Sequence, residues 1–222
     1  MIRAALVDLD GTLLDTAPDL AAAANAMLAE LGMRKLAAAE VRDFIGKGIA
    51  ALVRRCLEAA RAAPPDEMLY EAALASFASH YERLNGSSST PYAGAEEGLA
   101  AMRARGLRLA CVTNKASRYT DPLLASSGLA GYFDEVVTSD RAGRRKPDPG
   151  PFLFACRALG VSPAEAAVIG DSANDATGGR AAGCRVLLVP YGYREGQDVR
   201  DIECDGIVAS LLDAAELLSA QS

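Results

Sequence analysis

Two aspartates, Asp8 and Asp10, stand two positions apart at the end of the apolar run "IRAALVDLD", followed by Gly11 and Thr12. Side chains two apart in an extended segment share a face, so both carboxylates are delivered to one spot. Like charges held that close repel and need compensation. Three further polar clusters could supply it: Thr113-Asn114-Lys115, Lys146-Pro147-Asp148-Pro149, and Gly170-Asp171 running on to Asn174-Asp175. These residue types explain one another if the chemistry is attack on a phosphate ester. One carboxylate of the pair can attack phosphorus and form an aspartyl-phosphate. The other can protonate the leaving alcohol and later activate water. Two carboxylates facing a phosphate dianion call for a hard divalent cation, and Mg²⁺ with carboxylate, phosphate and water ligands fits. Asp171 is then the natural additional ligand, with Asp175 holding the shell in place. Lys146 adds a fixed positive charge, while Thr113 and Asn114 offer hydrogen bonds to phosphoryl oxygens.

Something must bring these clusters together. Short, continuously apolar runs recur at 2–10, 107–114, 134–139, 166–171, 185–190 and 205–210, each closed by a polar or glycine-rich turn. Continuous rather than alternating hydrophobicity predicts strands covered on both faces. Helical stretches such as "AEEGLAAMRARG", "DPGPFLFACRALG" and "SANDATGGRAAG" lie between them. Strand-then-helix repetition predicts an α/β fold, a doubly wound parallel sheet. In such a sheet ligands bind beyond the carboxyl ends of the strands, and all four clusters stand at or just past strand ends. Residues 17–88 break the rhythm. They contain helical patterns, "LAAAANAMLAELG" and "EMLYEAALASFASHYERL" among them, and no convincing strand. "DTAPD" leads in and "NGSSSTPYAG" leads out, both rich in turn and linker residues. The prediction is an all-helical cap domain at 17–88 inserted into a core made of 1–16 and 89–222.

The rest of the chain narrows the choice. At 222 residues, 50% hydrophobic and 23% charged, it has the composition of an ordinary soluble globular protein with room for one sizeable core and a small insertion. A formal net charge of −6 argues against a nucleic-acid partner, which would need a basic stripe to neutralise phosphates. The apolar runs are too short to span a bilayer, and no signal-peptide pattern opens the chain, so no membrane partner is expected. Five scattered cysteines without a CxxC pair read as reduced thiols and point to a cytoplasmic location. "DLDG" is not an EF-hand start, because Leu13 stands where that loop needs Gly and Asp19 where it needs a bidentate Glu. "IGKGIAA" lacks the preceding strand of a phosphate-binding loop. His80 is the only histidine, which excludes His-rich zinc sites and Ser-His-Asp triads.

"DLDGTLLDT", "VTNK", "RRKPDP" and "GDSANDATGGRAAG", in that order, resemble the four motifs of the haloacid dehalogenase-like hydrolase superfamily. The resemblance covers essentially the whole chain and implies a Mg²⁺-dependent phosphatase with a Rossmann-like core and a helical-bundle cap. It implies Asp8 as nucleophile and Asp10 as general acid/base. Mg²⁺ would be held by Asp8, the backbone carbonyl of Asp10, and Asp171, with Asp175 in support, and Thr113 and Lys146 would hold the phosphoryl group. Dehalogenases of the superfamily lack the second aspartate of the first motif, so Asp10 speaks for phosphate chemistry. Within the superfamily, bacterial phosphoglycolate phosphatases are the most similar group, on "IGKGIAALVRRCL", "TPYAGAEEGLAAMRARGLRLACVTNK", "YFDEVVTSD" and "VPYGYREGQDVRDIECDGIV". Three positions depart from that pattern: Lys47 for Asn in the cap's Gly-x-Gly loop, Ala116 for Pro after "TNK", and Arg194 for Asn after "YGY". Lys47 is therefore read as a substrate-binding cation, serving a carboxylate or a larger anionic sugar phosphate. The resemblance implies a small-molecule phosphate ester as partner, 2-phosphoglycolate first, in a monomer or homodimer. A sugar-phosphate or nucleotide phosphatase, a phosphosugar mutase, and a binding protein on an inactive scaffold are the alternatives.

Overall fold

The computed structural model describes residues 1–193 and 196–219. Six strands form one parallel sheet: β1 (Ala4–Val7), β4 (Arg108–Val112), β5 (Glu135–Val137), β6 (Ala166–Gly170), β7 (Arg185–Leu188) and β8 (Gly206–Ile207), in the order β5-β4-β1-β6-β7-β8. Each lies inside one of the six apolar runs. β1 sits at the centre, flanked by β4 and β6. The chain fills one side of β1 first and then the other, so the strand order reverses there and a crevice opens at its carboxyl end.

Alternate residues of each strand serve opposite faces. Ala5, Val7, Leu109, Cys111, Ile169 and Leu187 pack under α5 (Ala95–Ala104), α6 (Ser117–Ser126) and α10 (Leu211–Ser219). Ala4, Leu6, Ala110, Val112, Val168 and Val186 pack under α8 (Gly150–Leu159) and α9 (Ala173–Ala182). A short helix, α7 (Ser139–Ala142), follows β5. Burial on both faces explains why the strands read as unbroken apolar runs.

The cap consists of α1 (Ala17–Glu30), α2 (Ala38–Arg42), α3 (Ile49–Arg61) and α4 (Glu67–Leu84). Pro18 starts α1, where a missing N–H costs nothing. Asp66 caps α4 by accepting from the Leu69 N–H at 2.9 Å. The cap has a core of its own, built on Leu20, Ala24, Met27, Leu28, Val53, Leu57, Phe77 and Tyr81, and it meets the sheet domain through Tyr119 and Tyr193.

One feature of the connection has no counterpart in the sequence reading. The two linkers pair as a short antiparallel ribbon, β2 (Leu14–Asp15) with β3 (Thr90–Pro91). Asp19, buried at the start of α1, accepts from the backbone N–H groups of Gly86, Ser88 and Ser89 and from the Ser89 hydroxyl. The serine-rich return segment is thereby tied to the outgoing one.

Candidate active site

The carboxyl ends of β1, β4 and β6 deliver the predicted clusters to one place, joined by the turn that carries Lys146. Asp8, just past β1, is buried, as are Thr113, Lys146, Asp171 and Asp175. The Lys146 ammonium donates to Asp8 Oδ1 at 2.6 Å, to Asp175 Oδ1 at 2.7 Å and to the Val112 carbonyl at 2.9 Å. All three of its protons are engaged, so in this arrangement Lys146 offers a phosphoryl group charge rather than a hydrogen bond. Asp175 reaches it because Ser172 and Asp175 form a capping box at the start of α9, with the Ser172 hydroxyl 2.8 Å from Asp175 Oδ2.

Burial pushes the Asp8 carboxyl up to about 7, with Lys146 pulling against the rise and the charge of Asp175 adding to it. Asp171 is pushed well above the usual carboxylate range by burial, then by Asp8 and Asp175. Burial acts to lower Lys146, but Asp175 and Asp8 outweigh it and hold the ammonium charged. Three buried carboxylates against one ammonium leave excess negative charge. Asp8, Asp171 and Asp175 each bring an oxygen within 4.8 Å of the others, so the donors fit a divalent cation. Asp175 already has both oxygens engaged, one with Lys146 and one with Ser172, which suits a supporting role.

The Asp10 carboxylate stands outside this trio. Its Oδ1 accepts from Lys115 Nζ at 2.7 Å and from the Thr16 hydroxyl at 2.7 Å. Lys115 is itself buried and lies 5.2 Å from the centre of the Tyr81 ring on α4. Burial would lower the Lys115 ammonium, but the interactions with Asp10, its charge foremost, raise it instead.

Two expected substrate contacts fall differently. Asn114 faces the cavity, but its Nδ2 donates to the carbonyls of Gly46 and Lys146, and its Oδ1 accepts from the Lys146 N–H. Its amide joins the cap loop to the Lys146 turn and leaves no donor for a phosphoryl oxygen. Lys47 is exposed, and it is not among the residues lining the cavity, although its neighbours Gly46 and Gly48 are. Lys47 directly precedes Gly48, the residue that caps the start of α3. Thr113 is buried at the cavity; its Oγ1 accepts from the Lys115 N–H at 3.2 Å, leaving the hydroxyl proton to donate. Ala116 also lines the cavity, and Arg194 lies outside the described residues.

Sequence reasoning missed the residues that hold Asp171. The backbone N–H of Tyr193 donates to Asp171 Oδ2, and the Thr12 hydroxyl approaches Oδ1 at 3.4 Å. Gly11 and Gly192 press against the same carboxylate, where a Cβ on either would collide with it, and Gly11 also has a φ of 90°. The Tyr193 hydroxyl accepts from the N–H groups of Thr16 and Ala17 and donates to Asp15 Oδ1 at 2.6 Å. Tyr193 thus touches a candidate metal ligand with its backbone and the cap linker with its side chain. The only signal for it was the "YGY" turn past β7.

The model of the haloacid dehalogenase-like hydrolase family matches residues 2–183. The chain belongs to that family. It is 48% identical over 221 residues to a phosphoglycolate phosphatase of Nitrosospira multiformis, covering 100% of this chain and 97% of the relative. It is 47% identical over 218 residues to the phosphoglycolate phosphatase of Thiobacillus denitrificans, covering 98% and 96%. A crystal structure from Haemophilus somnus, described as a predicted phosphoglycolate phosphatase, superposes with a TM-score of 0.93 at 29% identity and covers 98% of both chains. The four motif clusters of this haloacid dehalogenase-like hydrolase are the four that the fold brings to one crevice.

Proposed function

We propose that this haloacid dehalogenase-like hydrolase is a Mg²⁺-dependent phosphatase whose substrate is 2-phosphoglycolate. One observation carries the reading. Asp8, Lys146 and Asp171 line a cavity of about 250 Å³ between the sheet domain and the cap, whose contribution to the lining is Leu20, Ile45, Gly46, Gly48, Ile49, Ala50, Leu52, Leu74 and Tyr81. That volume is below the range of pockets built for drug-sized ligands. Among those cap residues only Tyr81 carries a polar side-chain atom, and its hydroxyl is buried without a hydrogen-bond partner. A sugar or nucleotide would bury several hydroxyl groups against this wall without partners, at roughly 1–3 kcal/mol each. A compact ester avoids that loss. The names of the relatives agree with a compact ester.

Asp8 attacks phosphorus and forms the acyl-phosphate as the bond to the leaving oxygen breaks, and Asp10, once protonated, gives that oxygen its proton. Asp10 then takes a proton from the water that hydrolyses the acyl-phosphate, which releases phosphate, frees the Asp8 carboxylate and returns Asp10 to its acid form. Lys146 holds Asp8 in line. Asp8 and Asp171 would hold Mg²⁺, which when bound neutralises the carboxylates and the phosphoryl oxygens. A cytosolic location is part of the proposal, supported by five free cysteines, four of them buried. Among the described residues no helix is long and apolar enough to cross a membrane.

The test is steady-state hydrolysis of 2-phosphoglycolate, ribose 5-phosphate, glucose 1-phosphate and AMP, with Mg²⁺ and with EDTA. The expected result is the highest kcat/KM on 2-phosphoglycolate, loss of turnover in EDTA, and a fall on the order of 10³-fold or more for Asp8→Asn. A higher kcat/KM on a sugar phosphate or nucleotide, or turnover indifferent to Asp8→Asn, overturns it. Conversion of glucose 1-phosphate to an isomer, followed by NMR, would identify a mutase instead.

A further inference from the structure

The cavity holds four cations, and three of them have acidic partners. Lys146 is bound by Asp8 and Asp175, Lys115 by Asp10. Arg118 lies 3.9 Å from Glu82 and stacks on the Tyr119 ring. The fourth is Arg145. Its guanidinium lines the cavity against Gly48 of the cap loop, close enough that a Cβ there would sit 3.1 Å from one terminal nitrogen. Its side chain forms no hydrogen bond or ion pair among the described residues, and it is exposed rather than buried in protein. It also directly precedes Lys146. The two stand in one short turn, closed by the Asp148 N–H donating to the Arg145 carbonyl at 2.9 Å, and it sets the Lys146 ammonium on Asp8 and the Arg145 guanidinium against the cap loop.

A guanidinium presents a planar fork of donors that matches a carboxylate in bidentate fashion, which a lysine ammonium cannot do. The cap residues that line the cavity carry no charged side chain, and the Arg145 guanidinium is set against the Gly46–Gly48 loop, so an anion lying against that loop meets it. We propose that Arg145 is the specificity-determining residue of this site, receiving the carboxylate of a small phosphorylated carboxylic acid while the phosphoryl group lies over Asp8. This rests on the phosphatase reading above and moves the anion-reading role from the exposed Lys47 to a core residue that the cap closes over.

The test compares kcat/KM on 2-phosphoglycolate with kcat/KM on ethyl phosphate, which has a methyl group in place of the carboxylate. The ratio of the two is measured for the wild-type chain, Arg145→Ala and Arg145→Lys, with thermal melting as a check on folding. The expected result is a wild-type ratio well above one that falls about 10²-fold in Arg145→Ala, mainly through KM on 2-phosphoglycolate. Arg145→Lys should fall between, because it keeps the charge and loses the fork. If Arg145→Ala does not fold, the ratio in Arg145→Lys decides. A wild-type preference for 2-phosphoglycolate whose ratio neither variant moves, or an equal loss on both esters, overturns the role of Arg145 and leaves the phosphatase reading standing. A wild-type ratio near one overturns both the role of Arg145 and the choice of 2-phosphoglycolate as the substrate.

Discussion

Gly192→Ala perturbs the metal site without replacing any of its ligands. Gly192 lies in the turn past β7, where a Cβ would press on Asp171 Oδ2, on Asp171 Cβ and on the Gly11 carbonyl, all well inside the 3.4 Å at which ordinary van der Waals contact begins. None of these is the free end of a flexible side chain. Asp171 is fixed on one oxygen by the Tyr193 N–H and approached on the other by Thr12, and Gly11 is fixed by its N–H bond to the Leu14 carbonyl at 2.9 Å. Something must therefore move by about 1 Å, and overpacking of this kind costs ~1–3 kcal/mol of stability. For a chain of this length that lowers Tm by roughly 2–4 °C per kcal/mol. The larger effect should be on the ligand, because displacing a group that orients a metal ligand typically weakens metal binding ~10–100-fold. Mg²⁺ affinity by isothermal titration calorimetry, with kcat at saturating Mg²⁺, reads both effects. Gly131→Ala is the control: a Cβ there meets nothing within 4 Å, and it should behave as wild type. Wild-type Mg²⁺ affinity and kcat in Gly192→Ala would show that Asp171 is not held as described.

Two more expectations follow from the same geometry. Burial raises Asp8 to about 7, and burial with the charges of Asp8 and Asp175 raises Asp171, so protons compete with the metal below neutrality. Mg²⁺ affinity should weaken as pH falls below about 7, roughly tenfold per pH unit for each proton displaced, and level off above it. An acid whose folded pKa lies above its unfolded value binds its proton more tightly in the fold, so metal-free stability declines from about pH 4 to about pH 7. The rise in Tm on adding Mg²⁺ should therefore be larger at pH 8 than at pH 5, and a pH-independent affinity would contradict the assignment. Asp19→Ala removes the acceptor of three linker N–H groups and a hydroxyl, so it should cost ~3–5 kcal/mol, read as a fall in urea midpoint with little change in slope. A loss below ~1 kcal/mol would mean that the linkers are held by the β2–β3 ribbon alone.

How much of this was legible beforehand depends on how local each constraint is. The six strands, the helical insertion, and the gathering of Asp8, Thr113, Lys146, Asp171 and Asp175 could be read from the chain, because each is set by a short apolar run followed by a polar turn. A parallel sheet places every strand's carboxyl end on one edge, so residues far apart in sequence inherit a common location from a repeated local pattern. The capping box of Ser172 and Asp175 is equally local, three residues within one helical turn. What the sequence could not decide was direction and company. Lys47 stands between two glycines and Arg145 within the cationic run Arg144-Arg145-Lys146, and nothing near either says which one faces the cavity. The fold of the cap loop leaves Lys47 exposed and outside the cavity lining and brings Gly48 against Arg145. Asn114 has the chemistry to bind phosphate, yet its amide is taken by two carbonyls and an N–H from segments 32 and 68 residues away. Tyr193 joins Asp171 to the cap linker across 22 and 177 residues of separation. Local patterns set which elements form and where their ends lie, whereas the free hydrogen-bonding capacity of a side chain is fixed only after every neighbour has been packed.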